Sequence, residues 1–248
     1  VRDAALFLDV VAGPDPADPN SLPLPGLSYV ETLEALPAKL SIAVSLGLGY
    51  ARVQHDVRRE VEAAIDVFRQ LGHEVTVIDD VFPDLGVEWA LVSAAENYAL
   101  LADRVERHRD QWGRAFYEGL QQGKGITPEF IGRAQRKRAD LQAVLARIFA
   151  RHALLLTPTL PTEAFAAAGP FPETIDGEPI SSALGAVAFT YPFNFSGHPA
   201  ASVRAGFTDT GLPAGLQIVG PRFRDDLVLQ ASYAYEQARP WNDRWPVL

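Results

Sequence analysis

Apolar residues at Val1, Ala4, Ala5, Leu8 and Val11 recur at three-to-four spacing and predict a helix over residues 1–12, closed by Gly13 and Pro14. Asp3 supplies an acid for the first turn, but the capping residue such a helix wants would precede Val1. Residues 14–37 lose all periodicity and carry Pro14, Pro16, Pro19, Pro23, Pro25 and Pro37, which predicts a long surface connection. A strand–helix–strand unit follows. Residues 40–45 form a short apolar run, Val57, Val61, Ala64, Ile65, Phe68 and Leu71 make a helical stripe ended by Gly72, and residues 74–78 form a second strand. Such units build parallel sheets.

Residues 85–120 read as mainly helical. A long helix then starts at Thr127 as cap with Pro128 in the first turn, and its stripe runs Ile131, Ala134, Leu141, Val144, Leu145, Ile148 and Phe149. Residues 153–157 have the pattern of a fully buried strand closed by Pro158 and Pro161. A Gly/Pro-rich loop covers 169–182, and the stretch from Tyr191 reads as further loop. Strands at 202–207 and 216–219 flank a turn at 208–211, and a final helix falls near 224–238. The alternation predicts one α/β domain over residues 1–248 with a mixed, mostly parallel sheet.

Composition narrows the function classes. A chain of 248 residues can bury roughly 70% of its unfolded surface, enough for one substantial core. It has no cysteine, which excludes a disulfide framework, a thiolate metal site and a cysteine nucleophile, and fits a cytoplasmic setting. A formal net charge of −9 argues against a nucleic-acid partner, and no apolar run approaches a membrane span. The chain also has no methionine and starts at Val1, so we expect a processed or cut chain.

Several motifs invite chemistry. Gly47, Gly49 and Arg52 follow a strand and precede a helix, as in a dinucleotide fingerprint, but Arg52 would crowd the third small position and the helix starts too far on; a plain connecting loop is the better reading. Gly119, Gly123 and Lys124 faintly echo a phosphate loop but lack its spacing and its hydroxyl. The five histidines, His55, His73, His108, His152 and His198, show no metal-ligand spacing, so neither metal nor cofactor is expected. His198 alone sits among Gly, Pro and Asn in a loop. Arg133, Arg136, Lys137 and Arg138 read as a solvated basic face, and Ser181 or Ser182, without flanking glycine, as a helix cap.

The richest stretch is YPFNFSGHPAASV from Tyr191, then GFTDTGLPAGLQIVGPRF from Gly206 and DDLVLQASYAYEQARPW from Asp225. With VRDAALFLDVVAGPDPADPNSLP at the start, KLSIAVS, GHEVTVID and LLLTPTLP, it resembles the amidase signature family in order along the whole chain. The resemblance implies the C-terminal portion of a three-layer α/β/α fold and, for the intact enzyme, cleavage of carbon–nitrogen bonds in small-molecule amides by a serine nucleophile assisted by a cis-Ser and a Lys. In the family those three lie before the segment resembling residues 1–9, and no Gly-Ser-Ser-Gly pattern occurs here, so no catalytic residue is assigned and this chain alone is expected to be inactive. The resemblance instead places Val187, Tyr191, Phe193 and Asn194 at the substrate-pocket wall. Glutamine-using members carry Asp where Val187 stands, which tilts the reading toward a general amidase with a less polar substrate. Arg204 stands where family members usually have Pro. The expected partners are the N-terminal half of the same enzyme or a second copy, because half of a shared sheet exposes strand edges. Two alternatives stay open: a non-catalytic binding or scaffold chain of the same fold, and a glutamine amidotransferase A-type subunit.

Overall fold

The computed structural model describes residues 1–180 and 184–241, so the expected cap at Ser181 or Ser182 lies outside the described residues. Helix α1 (Arg2–Val11) and the short α2 (Tyr29–Thr32) come first, the latter inside the proline-rich connection and capped by the Ser28 hydroxyl. Strand β1 (Ser41–Val44), helix α3 (His55–Gln70) and strand β2 (Glu74–Val77) form the predicted unit, and Gly72 takes its left-handed turn at φ 93°. Helices α4 (Gly86–Val105), α5 (Arg114–Gln122) and α6 (Pro128–Phe149) lead to β3 (Leu154–Pro158). A small hairpin, β4 (Thr174–Ile175) and β5 (Glu178–Pro179), precedes α7 (Tyr191–Ser196), β6 (Ala200–Phe207), β7 (Pro213–Val219) and α8 (Asp225–Ala238).

The main sheet runs β2-β1-β3-β7-β6. Pairing is parallel for β1–β2 and β1–β3 and antiparallel for β3–β7 and β6–β7. The sheet is therefore mixed, as expected, but half rather than mostly parallel: pairing is parallel where strands alternate with helices and antiparallel where the final hairpin joins β3. Strand alternation sorts the core into two faces. Ile42, Val44, Leu154, Leu156, Leu216 and Ile218 face α3 and α8, meeting Val61, Phe68, Leu227 and Tyr235. Ala43, Leu155 and Val219 face the other way, toward Leu141, Leu145 and Ile148 of α6 and Tyr191 and Phe193 of α7. Helices on both faces of one sheet give three layers.

Two expectations change. The stretch from Tyr191 is a helix rather than loop: Pro192 sits in its first turn, and Gly197, at φ 69°, donates its N–H to the Phe193 carbonyl at 2.9 Å to end it. In α1, Ala5 is buried against α2 and α8, but Ala4 and Val11 of the predicted stripe face outward, and Leu6, Phe7 and Val10 are more than half exposed. The unexpected Arg204 is accommodated at a β-bulge between Arg204 and Gly206, where its guanidinium lies 4.9 Å from the Phe207 ring.

Candidate functional site

Strand order makes β1 a switch point, because one crossover carries the chain to β2 on one side and the next to β3 on the other. Open α/β sheets place ligands outside the carboxyl ends of strands at such a point. A cleft of about 420 Å³ lies there, lined by residues 47, 49 and 50–52 of the β1–α3 connection, by Ile175, Pro179 and Ile180 of the small hairpin, and by Gly185 and Ala188. Gly49, at φ 80°, lets the β1–α3 connection turn against Val81, whose Cα would lie 3.0 Å from any added Cβ.

Two polar ties set the walls. The Tyr50 hydroxyl donates to the Ala188 carbonyl at 2.9 Å, clasping the 185–191 segment to the β1–α3 connection. The Tyr191 hydroxyl donates to Asp84 Oδ1 at 2.8 Å, and its ring stacks on Trp89. Burial raises the ionisation of both phenols above the ordinary range, helped at Tyr191 by Tyr50 and Asp84. They are neutral donors near pH 7, not bases.

The hairpin wall is tied to the body at its tip. Asp176 Oδ2 accepts from the His55 backbone N–H at 2.9 Å, and Asp176 Oδ1 lies 3.0 Å from His55 Nδ1. Gln54, the residue preceding α3, makes no side-chain cap, so the Asp176 carboxylate takes that place from across the fold. His55 Nε2 lies 3.5 Å from Asp209, which Arg59 also holds at 3.0 Å, and the backbone N–H of Asp209 donates to Asp56. The Asp176 hydrogen bond raises the His55 pKa. The carboxylates of Asp56 and Asp209 and a His55 ring nitrogen lie within 4.8 Å of one another, but with both His55 nitrogens facing carboxylates and Asp209 on Arg59, the cluster is an ion-pair network.

Of the residues predicted at the pocket wall, Tyr191 and Phe193 are buried together, Val187 packs at their edge, and Asn194 is exposed. None of the four lines the cleft directly; their neighbours Gly185 and Ala188 do. Tyr50, Arg52 and the hairpin were missed as wall residues. The signal was the position of the Gly47–Arg52 stretch between a strand end and a helix start, which the failed fingerprint match obscured. There α3 begins only at His55, beyond Arg52.

Among the described residues two serine–histidine contacts exist: Ser41 Oγ to His152 Nδ1 and Ser196 Oγ to His198 Nδ1, each 2.9 Å. Ser41 sits within a strand and Ser196 in the last turn of α7, and no carboxylate is hydrogen-bonded to the other ring nitrogen of either histidine among the described residues. His198 stacks on Phe149 at 5.3 Å, and burial, then Arg222, pushes its pKa down to about 4. Arg133 and Arg136 of α6 are exposed, as a solvated basic face requires, while three of the helix's basic residues also have partners within the chain. Lys137 pairs with the buried Glu88, Arg138 lies over Phe195 and Arg133 over Phe130.

The fold and cleft define a three-layer α/β/α protein with a crevice at a sheet switch point. The family model described as Amidase matches residues 1–229, and the chain belongs to that family. It is 33% identical over 253 residues to an acylamidase of Rhodococcus erythropolis, covering 99% of this chain and 52% of that protein. It is likewise 33% identical over 273 residues to the A-type subunit of the glutamyl-tRNA(Gln) amidotransferase from a Cyanothece strain, covering 100% of this chain and 55% of that protein. A bacterial aryl acylamidase of the amidase signature family superposes with a TM-score of 0.81 at 32% identity, over 98% of this chain and 52% of that one. The chain spans about half the length of the curated relatives it matches. No helix among the described residues is long and apolar enough to cross a membrane.

Proposed function

We propose that this chain is the substrate-pocket portion of an amide hydrolase whose serine nucleophile, cis-Ser and Lys lie on a segment preceding Val1. The observation that carries the reading is the family match over residues 1–229 at half of an acylamidase's length, with no activated serine among the described residues. In the intact enzyme the serine hydroxyl, its proton relayed toward the Lys, attacks the amide carbon. The amine leaves with a proton, and water then releases the acid from the serine ester. This chain supplies sheet, the β1–α3 connection and the 185–194 segment, in which Gly185 and Ala188 line the cleft and Val187, Tyr191 and Phe193 back it from within the core. Val187 in place of an acid favours an amide without an ammonium group over glutamine.

The catalytic segment, or a second copy, is the partner that covers this chain's apolar face. Exposed Leu6, Phe7 and Val10 of α1, with Leu22 and Leu24 of the connection, support that reading. The lack of cysteine is in keeping with a reducing cytoplasm. The test is hydrolysis of a simple anilide by the purified chain, alone and joined to its preceding segment. Activity is expected only in the joined form. Turnover by the isolated chain, or none by the joined form, overturns the reading.

A further inference from the structure

Among the described residues, Arg52 is the one charged side chain on the cleft wall; the remaining lining is glycine, alanine, isoleucine, proline and Tyr50. The Tyr50 hydroxyl is committed to the Ala188 carbonyl, so it does not turn into the cleft as a free donor. The guanidinium of Arg52 faces Glu178 of the hairpin at 3.9 Å, outside hydrogen-bonding distance, with both side chains more than half exposed. A pair of that kind is weak and easily exchanged. The other acid of the hairpin, Asp176, is already held by His55 and the start of α3. A planar guanidinium at an apolar wall matches a carboxylate through two parallel hydrogen bonds.

We propose that Arg52 selects amides that carry a carboxylate, with the ligand's carboxylate displacing Glu178 while the hairpin's Ile175, Pro179 and Ile180 pack on its apolar body. This deepens the amide-hydrolase reading and rests on it. Glu178 then acts as an internal competitor: it neutralises Arg52 when the cleft is empty and yields to a stronger, bidentate partner.

The experiment measures binding of 4-acetamidobenzoate and of acetanilide, which share ring and amide and differ in the carboxylate, to the 248-residue chain by isothermal titration. The carboxylate is expected to bind about tenfold more tightly. Arg52→Gln should erase that ratio without weakening acetanilide. Glu178→Gln should strengthen carboxylate binding, and added salt should narrow the ratio. Both positions are exposed, so neither variant threatens folding. Equal affinities, or a ratio unchanged in Arg52→Gln, overturn the role of Arg52 while leaving the cleft as an amide site. Failure of both ligands to bind removes the cleft reading together with the proposal.

Discussion

Tyr191 donates to Asp84 Oδ1 at 2.8 Å while fully buried, and Asp84 Oδ1 also accepts the Gly86 N–H at 3.2 Å. The phenol thus fastens the start of α7 to the loop that begins α4. Tyr191→Phe keeps the ring on Trp89 and removes only the hydroxyl, with its bonds to Asp84 and Tyr50, so stability should fall by about 1–3 kcal/mol. Tyr191→Ala adds a cavity and should cost about 3–5 kcal/mol. Urea unfolding with unchanged m-values checks both, and equal losses would mean that packing alone holds α7.

Gly119 and Gly123 give opposite expectations four residues apart. A Cβ on Gly123 would lie 2.4 Å from the Ala94 carbonyl oxygen and 2.8 Å from the Ala95 nitrogen, backbone atoms of α4 that cannot step aside. Gly123→Ala should destabilise by about 1–3 kcal/mol through overpacking. Gly119 lies inside α5 with nothing within 4 Å of the same position, so Gly119→Ala should stabilise by up to about 1 kcal/mol through helix propensity. Thermal melts of the two variants settle it. The glycines that echo a phosphate loop are explained, at Gly123, by helix packing.

Local signals made most of the fold legible. Thr127 with Pro128 marked the start of α6, and the Thr127 hydroxyl accepts the Phe130 N–H. Gly72 marked the end of α3, and the uninterrupted apolar run at 153–157 marked the central strand, which is buried throughout as β3. The site was less legible because its walls meet only through the sheet. Asp176 caps a helix 121 residues away, and Tyr50 reaches Ala188 across 138. Nothing in either local sequence announces such a partner. The outward turn of Val11 was equally hidden, since a helix with apolar residues on both sides does not say which one the neighbouring helices cover.

His198 should act as an acid-side destabiliser. Its pKa is about 4 in the fold against about 6.5 in the unfolded chain, so unfolding takes up a proton between those values. Above pH 6.5 the ring is neutral in both states and contributes no penalty. As pH falls from 6.5 toward 4 the unfolded state is progressively favoured, and below 4 the penalty is complete. His198→Phe keeps an aromatic ring against Phe149 and should flatten this part of the stability curve. Parallel thermal melts from about pH 7 to about pH 4 give the answer, and identical slopes in the two proteins would refute it.

His55 should behave in the opposite sense. The Asp176 hydrogen bond, reinforced by the charges of Asp176 and Asp56 and by Asp209, raises its folded pKa above the unfolded value. Its stabilising contribution is therefore fully present below about pH 6.5 and is lost as pH rises through the folded pKa. The backbone bond from His55 N–H to Asp176 survives that loss, so the hairpin loosens rather than detaches. The difference in melting temperature between wild type and His55→Gln should be largest near about pH 6 and shrink toward about pH 8. Asp176→Asn should shrink it at every pH by removing the main partner. A difference that grows with pH, or one that Asp176→Asn leaves unchanged, would show that this ion pair does not hold the hairpin to α3.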